Sequence, residues 1–117
     1  MQQLANFING QHAASVSDRQ LPVFNPATGE QIGAVSLATE AETRSAIAAA
    51  AQAFSHWSQV TPLNRARVLF KFKALLEQHR DELATLISQE HGKVFSDAQG
   101  ELTRGIEVVE FACGIPH

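Results

Sequence analysis

The chain has 117 residues, of which 44% are hydrophobic, and its formal net charge at pH 7 is −3. Its length is typical of one domain, and its apolar content is too high for a disordered chain. The nine basic and twelve acidic residues form no run of one sign, which argues against nucleic acid or an anionic membrane as a partner. The longest apolar stretch, Ala46 to Ala51, is far shorter than the ~20 residues of a membrane span.

The cysteine count and the start of the chain indicate a compartment. Cys113 is the single cysteine, so no intramolecular disulfide can form, which suits a reducing environment. Residues 1–6 have neither the basic nor the apolar region of a secretory signal. We therefore predict a cytoplasmic protein.

Residues 1–38 contain turn signals between short extended segments. Asn9-Gly10 predicts a tight hairpin, because both residues tolerate the positive φ that a type I′ turn requires at its central positions. A second turn is predicted at residues 25–29, where Gly29 can adopt a left-handed conformation. Short strands with poor alternation are predicted on either side of it, at residues 21–24 and 31–37.

Residues 39–117 are predicted to be almost entirely helical. Thr39 and Glu42 form a capping box, and the helix that follows places four residues on one face: Ile47, Ala50, Phe54 and Trp57. Thr61-Pro62 is predicted to begin another helix, with Thr61 as its N-cap. Its apolar face continues on both sides of an expected bend or short break at residues 77–81, as Leu69, Phe72 and Leu76 and then as Leu83, Leu86 and Ile87. Gly92 is expected to end this helical segment.

The last predicted helix has apolar residues at spacings of three and four: Phe95, Ala98, Leu102, Ile106, Val109 and Cys113. Gly114 and Pro116 are expected to end it. The sequence thus predicts a mixed α+β chain that is mainly α-helical, with three to four helices and short N-terminal β-hairpins. Its two regions are predicted at residues 1–38 and 39–117.

The usual reactive and metal-binding residues give no site pattern. Cys113 falls on an apolar stripe near a helix C-terminus, where the macrodipole disfavours a thiolate, so it is predicted to be a buried apolar residue. The sequence contains neither a G-x-G-x-x-G motif nor a P-loop. The histidines have no zinc-site spacing and are predicted to lie on the surface: His12, His56, His79, His91 and His117. We predict no catalytic, cofactor-binding or metal-binding residue in this chain.

Arg104 is the one candidate for ligand binding. It lies about 200° around the helix from Leu102, away from the apolar stripe, and a guanidinium can bind a carboxylate through two parallel hydrogen bonds. The flanking Gly100 and Gly105 each cost a helix ~1 kcal/mol relative to alanine, which suggests that something approaches the backbone closely. The alternative is an exposed Arg104 that pairs with Glu101 or Glu107. The residues alone leave both interpretations open.

Several segments resemble, in order, the opening of aldehyde dehydrogenases. They are Phe7-Ile8-Asn9-Gly10, Phe24-Asn25-Pro26-Ala27-Thr28-Gly29-Glu30, Ala53-Phe54-Ser55-His56-Trp57, Asn64-Arg65-Ala66-Arg67-Val68-Leu69 and Glu90-His91-Gly92-Lys93. Asp97 to Gly114 is similar to the methylmalonate-semialdehyde dehydrogenases, whose segment reads D-A-x-G-[ED]-x-x-R-G-[IL]-x-x-V-E-x-A. The chain therefore resembles the N-terminal piece of a CoA-acylating enzyme of this type, within an α/β fold.

The resemblance implies a reaction in which a cysteine attacks the aldehyde, hydride passes to NAD, and the acyl group passes to CoA. Loss of CO2 gives propionyl- or acetyl-CoA from methylmalonate or malonate semialdehyde. It also implies that Arg104 holds the substrate's carboxylate and that the nucleophilic cysteine, which is not Cys113, lies beyond residue 117. Residues 39–117 would be the helical portion of an incomplete NAD-binding domain. The chain alone is predicted to be inactive and to hold no cofactor.

Two other functions stay open at this point. One is a hydrolytic NAD(P)-dependent aldehyde dehydrogenase for another acid semialdehyde, and the other is a helical interaction module without enzymatic activity. The apolar helix faces predict self-association into a homo-oligomer, because each large side chain left exposed forgoes ~1.5–3 kcal/mol. The residues that cannot all be covered by this chain are Ile47, Phe54, Trp57, Phe72, Leu76, Ile106 and Val109.

Overall fold

The computed structural model describes residues 2–117, which form two compact units. In that range the strands are β1 (Gln2–Leu4), β2 (Asn6–Ile8), β3 (Gln11–Ala13), β4 (Gln20–Phe24) and β5 (Gln31–Ser36). The helices are α1 (Glu40–Trp57), α2 (Pro62–Gln78), α3 (Arg80–His91) and α4 (Phe95–Gly114). The mixed, mainly helical composition predicted from the sequence is confirmed. The strands give way to helices near the predicted boundary at residue 38, whereas the first compact unit extends to Gln59 and includes α1.

The β2–β3 hairpin forms around Asn9-Gly10, as predicted. The two strands pair antiparallel, with Ile8 opposite Gln11. Asn9 has φ 53° and Gly10 has φ 75°, and positive φ at both central positions is what a type I′ turn requires. The hairpin is therefore determined by two adjacent residues.

The second predicted turn connects β4 and β5, which also pair antiparallel. The Gly29 N–H donates to the Asn25 carbonyl at 2.8 Å, and the Ala27 N–H donates to Asn25 Oδ1 at 2.9 Å. Gly29 has φ 74°, a conformation that costs glycine little. The turn thus combines an asparagine that binds its own backbone with a left-handed glycine.

Strand β1 was not predicted, and it completes a sheet of order β1-β5-β4. It runs parallel to β5, with Gln3 opposite Ala34. The middle strand contains Gly33 and Ala34, which are buried. Pro22 lies in β4 at the sheet edge, where a missing N–H is tolerated. A parallel strand pair joins residues that are far apart in sequence, so no local sequence pattern predicts it.

The capping box at the start of α1 is confirmed and does more than cap the helix. The Glu42 carboxylate accepts a hydrogen bond from the Thr39 N–H at 2.7 Å, while the Glu42 N–H donates to Thr39 Oγ1 at 3.2 Å. The same carboxylate accepts from the Val16 N–H at 2.8 Å and from Ser15 Oγ at 2.9 Å. Glu42 therefore ties the segment before β4 to the first turn of α1.

These donors lower the pKa of Glu42 from 4.5 to about 2, chiefly through the backbone hydrogen bonds from Thr39 and Val16. Hydrogen bonds to the ionised form of a carboxyl favour that form. Because the pKa is lower in the folded chain, ionised Glu42 stabilises the first unit above about pH 4.5. That stabilisation is lost as the pH falls through about 2.

Carbon-13 NMR titration of the Glu42 carboxyl should give a midpoint near pH 2, well below the ordinary carboxyl value of 4.5. Glu42→Gln should make amide exchange at Val16 faster and nearly independent of pH between about 2 and 4.5 after correction for intrinsic exchange. A midpoint for Glu42 near pH 4.5 would contradict the hydrogen-bonded arrangement.

The second unit begins at Val60 and consists of α2, α3 and α4. Thr61 Oγ1 accepts from the Asn64 N–H at 3.4 Å, and Pro62 occupies the first helical turn, as predicted. The expected bend lies at His79, whose φ of −99° and ψ of 21° separate α2 from α3. Gly92 ends α3 with φ 83°, a common position for a left-handed glycine.

Small residues allow these three helices to approach closely. Ala66 of α2, Ala84 of α3 and Ala98 of α4 are among the most buried residues of the chain, together with Ile106 and Cys113 on α4. Alanine brings little volume between two backbones, so helices that meet at alanines can pack at short axial distances. The core of the second unit is consequently built on one side of α4.

The prediction that the large apolar side chains cannot all be covered is confirmed. Ile106 is buried, and Leu76 and Val109 are half-buried. Four of the seven named residues remain exposed in the chain: Ile47, Phe54, Trp57 and Phe72. Phe95, predicted on the inner face of α4, is also exposed.

Candidate functional site

Helix α4, which carries Arg104, is fixed to both neighbouring helices of its unit by polar contacts. The Arg80 guanidinium donates to Thr103 Oγ1, and Gln99 Nε2 donates to Asp81 Oδ1 at 3.2 Å. Lys73 of α2 pairs with Glu77 at 2.7 Å and reaches Glu110 of α4 at 3.7 Å. The contacts to α3 therefore hold the middle of α4, where Arg104 lies, whereas the Lys73 contact lies nearer the C-terminal end of the helix.

Arg104 lies on the face of α4 opposite its core, as its angular position predicted. The residue is exposed, whereas Ile106, two positions further along, is buried. Within residues 2–117, no carboxylate oxygen lies within 4.0 Å of the Arg104 guanidinium. The alternative in which Arg104 pairs with Glu101 or Glu107 is therefore not the arrangement in the structure.

Glu101 is instead bound to Lys93, in the short connection between α3 and α4. The Lys93 ammonium lies 2.7 Å from Glu101 Oε1 and 3.6 Å from Asp97 Oδ2. The hydrogen bond from Lys93 lowers the pKa of Glu101, and Arg104 contributes a smaller favourable charge. The hydrogen bond to Glu101 in turn raises the pKa of Lys93. Two acidic residues on the Arg104 side of α4 are thus occupied by one lysine.

The two glycines beside Arg104 adjoin open space. A Cβ atom built on Gly100 or on Gly105 would meet no atom within 4 Å. The close approach suggested by the sequence therefore does not come from residues 2–117. The backbone of α4 around Arg104 is accessible on the side where a ligand or another polypeptide segment could contact it.

Gly100→Ala should raise the free energy of unfolding of the 117-residue chain by up to ~1 kcal/mol, because alanine favours a helix interior and no atom obstructs its methyl group. The matched control is Gly92→Ala, which should be destabilising because Gly92 has φ 83°. Urea unfolding followed by circular dichroism measures both. A destabilising Gly100→Ala would show that the space beside this glycine is filled.

A second apolar stripe on α4 was missed by the sequence analysis. Val108, Phe111 and Ile115 are 68%, 76% and 70% exposed. Their spacing of three and four residues was visible in the sequence. Only the stripe that ends at Cys113, however, was interpreted as the apolar face of the helix. Helix α4 therefore has apolar residues on two sides, and only one side is covered in this chain.

Cys113 and the five histidines lie where the sequence placed them. Cys113 is 1% exposed and belongs to the core of the second unit, so its prediction as a buried apolar residue is confirmed. The five histidines are all exposed, as predicted. In the described part of the chain, no three His, Cys, Asp or Glu side chains are grouped to hold a metal ion. No helix in residues 2–117 is long and apolar enough to cross a bilayer.

A groove of about 390 Å³ lies in the first unit between β3 and the start of α1. Its walls include the apolar side chains of Ile8, Val16 and Ala46. The Glu42 carboxylate at its edge already accepts hydrogen bonds from Thr39, Ser15 and Val16. Because the Glu42 carboxylate is already hydrogen-bonded, this groove is a weaker candidate for binding a charged ligand than the surface of α4.

The family model of the aldehyde dehydrogenase family matches residues 12–117. The chain belongs to the aldehyde dehydrogenase family. This assignment agrees with the ordered segments noted in the sequence, which extend from Phe7 to Lys93.

Within the aldehyde dehydrogenases, the chain is similar to proteins named for short acidic semialdehydes. It is 52% identical to malonate-semialdehyde dehydrogenase 3 of Geobacillus kaustophilus over 113 residues, which are 97% of this chain and 23% of that protein. It matches the crystal structure of a methylmalonate-semialdehyde dehydrogenase from Oceanimonas doudoroffii with a TM-score of 0.95 and 52% identity, over 99% of this chain and 24% of that one.

A third similar protein was solved with a cofactor. It is described as a methylmalonate-semialdehyde dehydrogenase from Sinorhizobium meliloti 1021 complexed with NAD, and it matches with a TM-score of 0.96 and 46% identity. The match covers 100% of this chain and 24% of that chain. The chain thus spans about a quarter of the length of these relatives.

Lys93 is the residue of this site that sequence reasoning did not connect to Arg104. In the sequence it was noted as the last residue of the family-like segment Glu90-His91-Gly92-Lys93. Its partner Glu101 lies eight residues away across the turn after Gly92, a separation outside the spacings of three and four that pair side chains within a helix. The available signal was the alignment of Asp97, Glu101 and Arg104 along one side of α4.

Proposed function

We propose that this chain is the N-terminal part of an NAD-dependent, CoA-acylating dehydrogenase for malonate or methylmalonate semialdehyde. The overall reaction converts methylmalonate semialdehyde, NAD and CoA into propionyl-CoA, CO2 and NADH. The aldehyde carbon is oxidised, its hydride is transferred to NAD, and the carboxyl group leaves as CO2. Support comes from the 52% identity to a malonate-semialdehyde dehydrogenase and from the similarity of Asp97 to Gly114 to that group of enzymes.

One observation carries the substrate class: Arg104 is exposed, has no carboxylate partner among residues 2–117, and lies on a helix held by two others. Arginine stays charged at any working pH and offers a planar pair of donors that fits a carboxylate. The proposed role of Arg104 is to bind the acidic end of the semialdehyde. Its test is replacement of Arg104 in the complete enzyme, with rates compared for carboxylated and uncharged aldehydes.

NAD and CoA belong to the proposal for the complete enzyme. NAD is supported by the Sinorhizobium meliloti protein, which was solved with it. When bound, NAD accepts the hydride of the aldehyde carbon. No residue of this chain is assigned to either cofactor, because the 117 residues contain no glycine-rich phosphate-binding loop. We expect the purified 117-residue chain to oxidise no semialdehyde, and an NADH signal from it would contradict the proposal.

The alternative function, a hydrolytic aldehyde dehydrogenase for an acid semialdehyde, would use Arg104 in the same way. It would differ in the product that it releases. A hydrolytic enzyme releases a free acid, whereas an acylating enzyme produces an acyl-CoA and depends on added CoA. Chromatographic identification of the product from the complete enzyme separates the two. The predicted cytoplasmic location stays a prediction.

We also propose that the isolated chain associates with itself. The exposed stripe formed by Val108 and Phe111 on α4 and by Ile115 directly after the helix is the kind of continuous apolar surface that soluble monomers seldom leave uncovered. The match leaves about three quarters of the relatives' length outside it. In the complete enzyme, residues of that remaining part are the candidates to pack against the stripe. The isolated chain has only a second copy of itself to provide that cover.

A further inference from the structure

The pairing of Lys93 with Glu101 has a consequence for Arg104. Glu101 precedes Arg104 by three residues on α4, a spacing at which an acidic and a basic side chain readily pair. An acidic residue placed before a basic one is the more favourable order on a helix. Glu101 is therefore the natural competitor for the Arg104 guanidinium.

Lys93 prevents that pairing by binding Glu101 itself. Its ammonium lies 2.7 Å from Glu101 Oε1 and 3.6 Å from Asp97 Oδ2. The Lys93 side chain is 15% exposed, although a lysine on a free surface is usually almost fully solvated. The left-handed Gly92, with φ 83°, ends α3 immediately before Lys93 and places it beside the first turns of α4. The lysine is thus held in position and is not a mobile surface cation.

We propose that Lys93 is a positioning residue for substrate recognition, which keeps the Arg104 guanidinium available to the substrate's carboxylate by engaging Glu101. Two physical effects follow from this arrangement. Glu101 cannot occupy the two donors that the substrate needs. Its negative charge is also neutralised beside a site that has to attract an anion. This inference rests on the proposed carboxylate-binding role of Arg104.

The experiment uses the complete enzyme and four variants: Lys93→Met, Glu101→Gln, the double variant, and Lys73→Met as the matched control. Lys73 is a similarly covered lysine, 21% exposed, whose acidic partners Glu77 and Glu110 are not neighbours of Arg104. Steady-state rates with malonate semialdehyde and with propanal are measured at low ionic strength, where exposed charge pairs are least screened. Thermal unfolding of each variant reports on folding.

Lys93→Met should raise KM for malonate semialdehyde by about 1.4- to 2.3-fold, the size expected when an ion pair of this spacing competes for Arg104. The kcat and the rates with propanal should stay unchanged, as should all parameters of Lys73→Met. Glu101→Gln should leave KM unchanged or lower, and adding it to Lys93→Met should restore KM to the original value, because a neutral amide neither binds Arg104 as strongly nor repels the substrate.

A structural role for the Lys93–Glu101 bond gives the opposite pattern. If the bond only held α4 in place, Glu101→Gln would raise KM as much as Lys93→Met, and the double variant would restore nothing. Equal losses with propanal would overturn the inference in the same way. Failure of the proposed function would give a different result. Arg104→Ala would then change the rates with malonate semialdehyde and with propanal to the same extent. If Arg104→Ala discriminates and Lys93→Met has no effect on KM, the inference about Lys93 alone is wrong.

Discussion

Arg104→Ala in the complete enzyme is expected to lower kcat/KM for malonate semialdehyde by at least about 100-fold. The loss follows from removing two charge-assisted hydrogen bonds to one carboxylate, each contributing about 1.5–3 kcal/mol. Propanal has no carboxylate, so its kcat/KM should change little. Initial rates of NADH formation over a range of each aldehyde measure both values.

The control for charge alone is Arg104→Lys. Lysine keeps the positive charge but cannot form the two parallel hydrogen bonds of a guanidinium, so an intermediate loss of about tenfold is expected. Equal losses with propanal in both variants would show that Arg104 supports the fold of α4. Unchanged kcat/KM for malonate semialdehyde would refute the proposed substrate contact outright.

The second large effect concerns the association of the isolated 117-residue chain. Sedimentation velocity should show a mass above 12.7 kDa that increases with concentration. Phe111 is 76% exposed between Val108 and Ile115, and covering an aromatic side chain of this kind contributes about 1.5–3 kcal/mol. Phe111→Asp should therefore weaken self-association by at least tenfold, because it also introduces a charge that would have to be desolvated.

Gln89→Asp is the matched control for the added charge. Gln89 is exposed on α3, so its replacement adds one negative charge without removing apolar surface. It should leave the association constant nearly unchanged. A compact monomer at high concentration for the original chain would contradict the prediction, and equal effects of both substitutions would assign association to net charge and not to the apolar stripe.

The local features of the fold follow from the sequence because each depends on a few adjacent residues. Asn9-Gly10 allows positive φ at both turn positions, Thr39 and Glu42 cap each other across one helical turn, and Gly92 ends α3 with φ 83°. Helix spacing likewise placed Cys113 on the covered face of α4 and Arg104 on the opposite face. The position of Arg104 on the exposed face of its helix therefore follows from the sequence alone.

Family membership was also readable from the sequence, because ordered segments such as Phe24 to Glu30 and Asp97 to Gly114 resemble the family's own. The resemblance nevertheless left the environment of Arg104 undetermined. Both the free guanidinium and the pair with Glu101 or Glu107 agreed with the residues alone. In the structure Glu101 pairs instead with Lys93, eight residues away and outside the helix.

Tertiary structure decided the contacts that join residues far apart in the chain. It added the parallel pairing of β1 with β5, the bonds from Glu42 to Ser15 and Val16, and the bond from Lys93 to Glu101. It also decided that Ile106 is buried while Phe111 on the same helix is exposed. Periodicity reveals that a helix has an apolar side, but only the positions of neighbouring elements determine which side is covered and which charges meet.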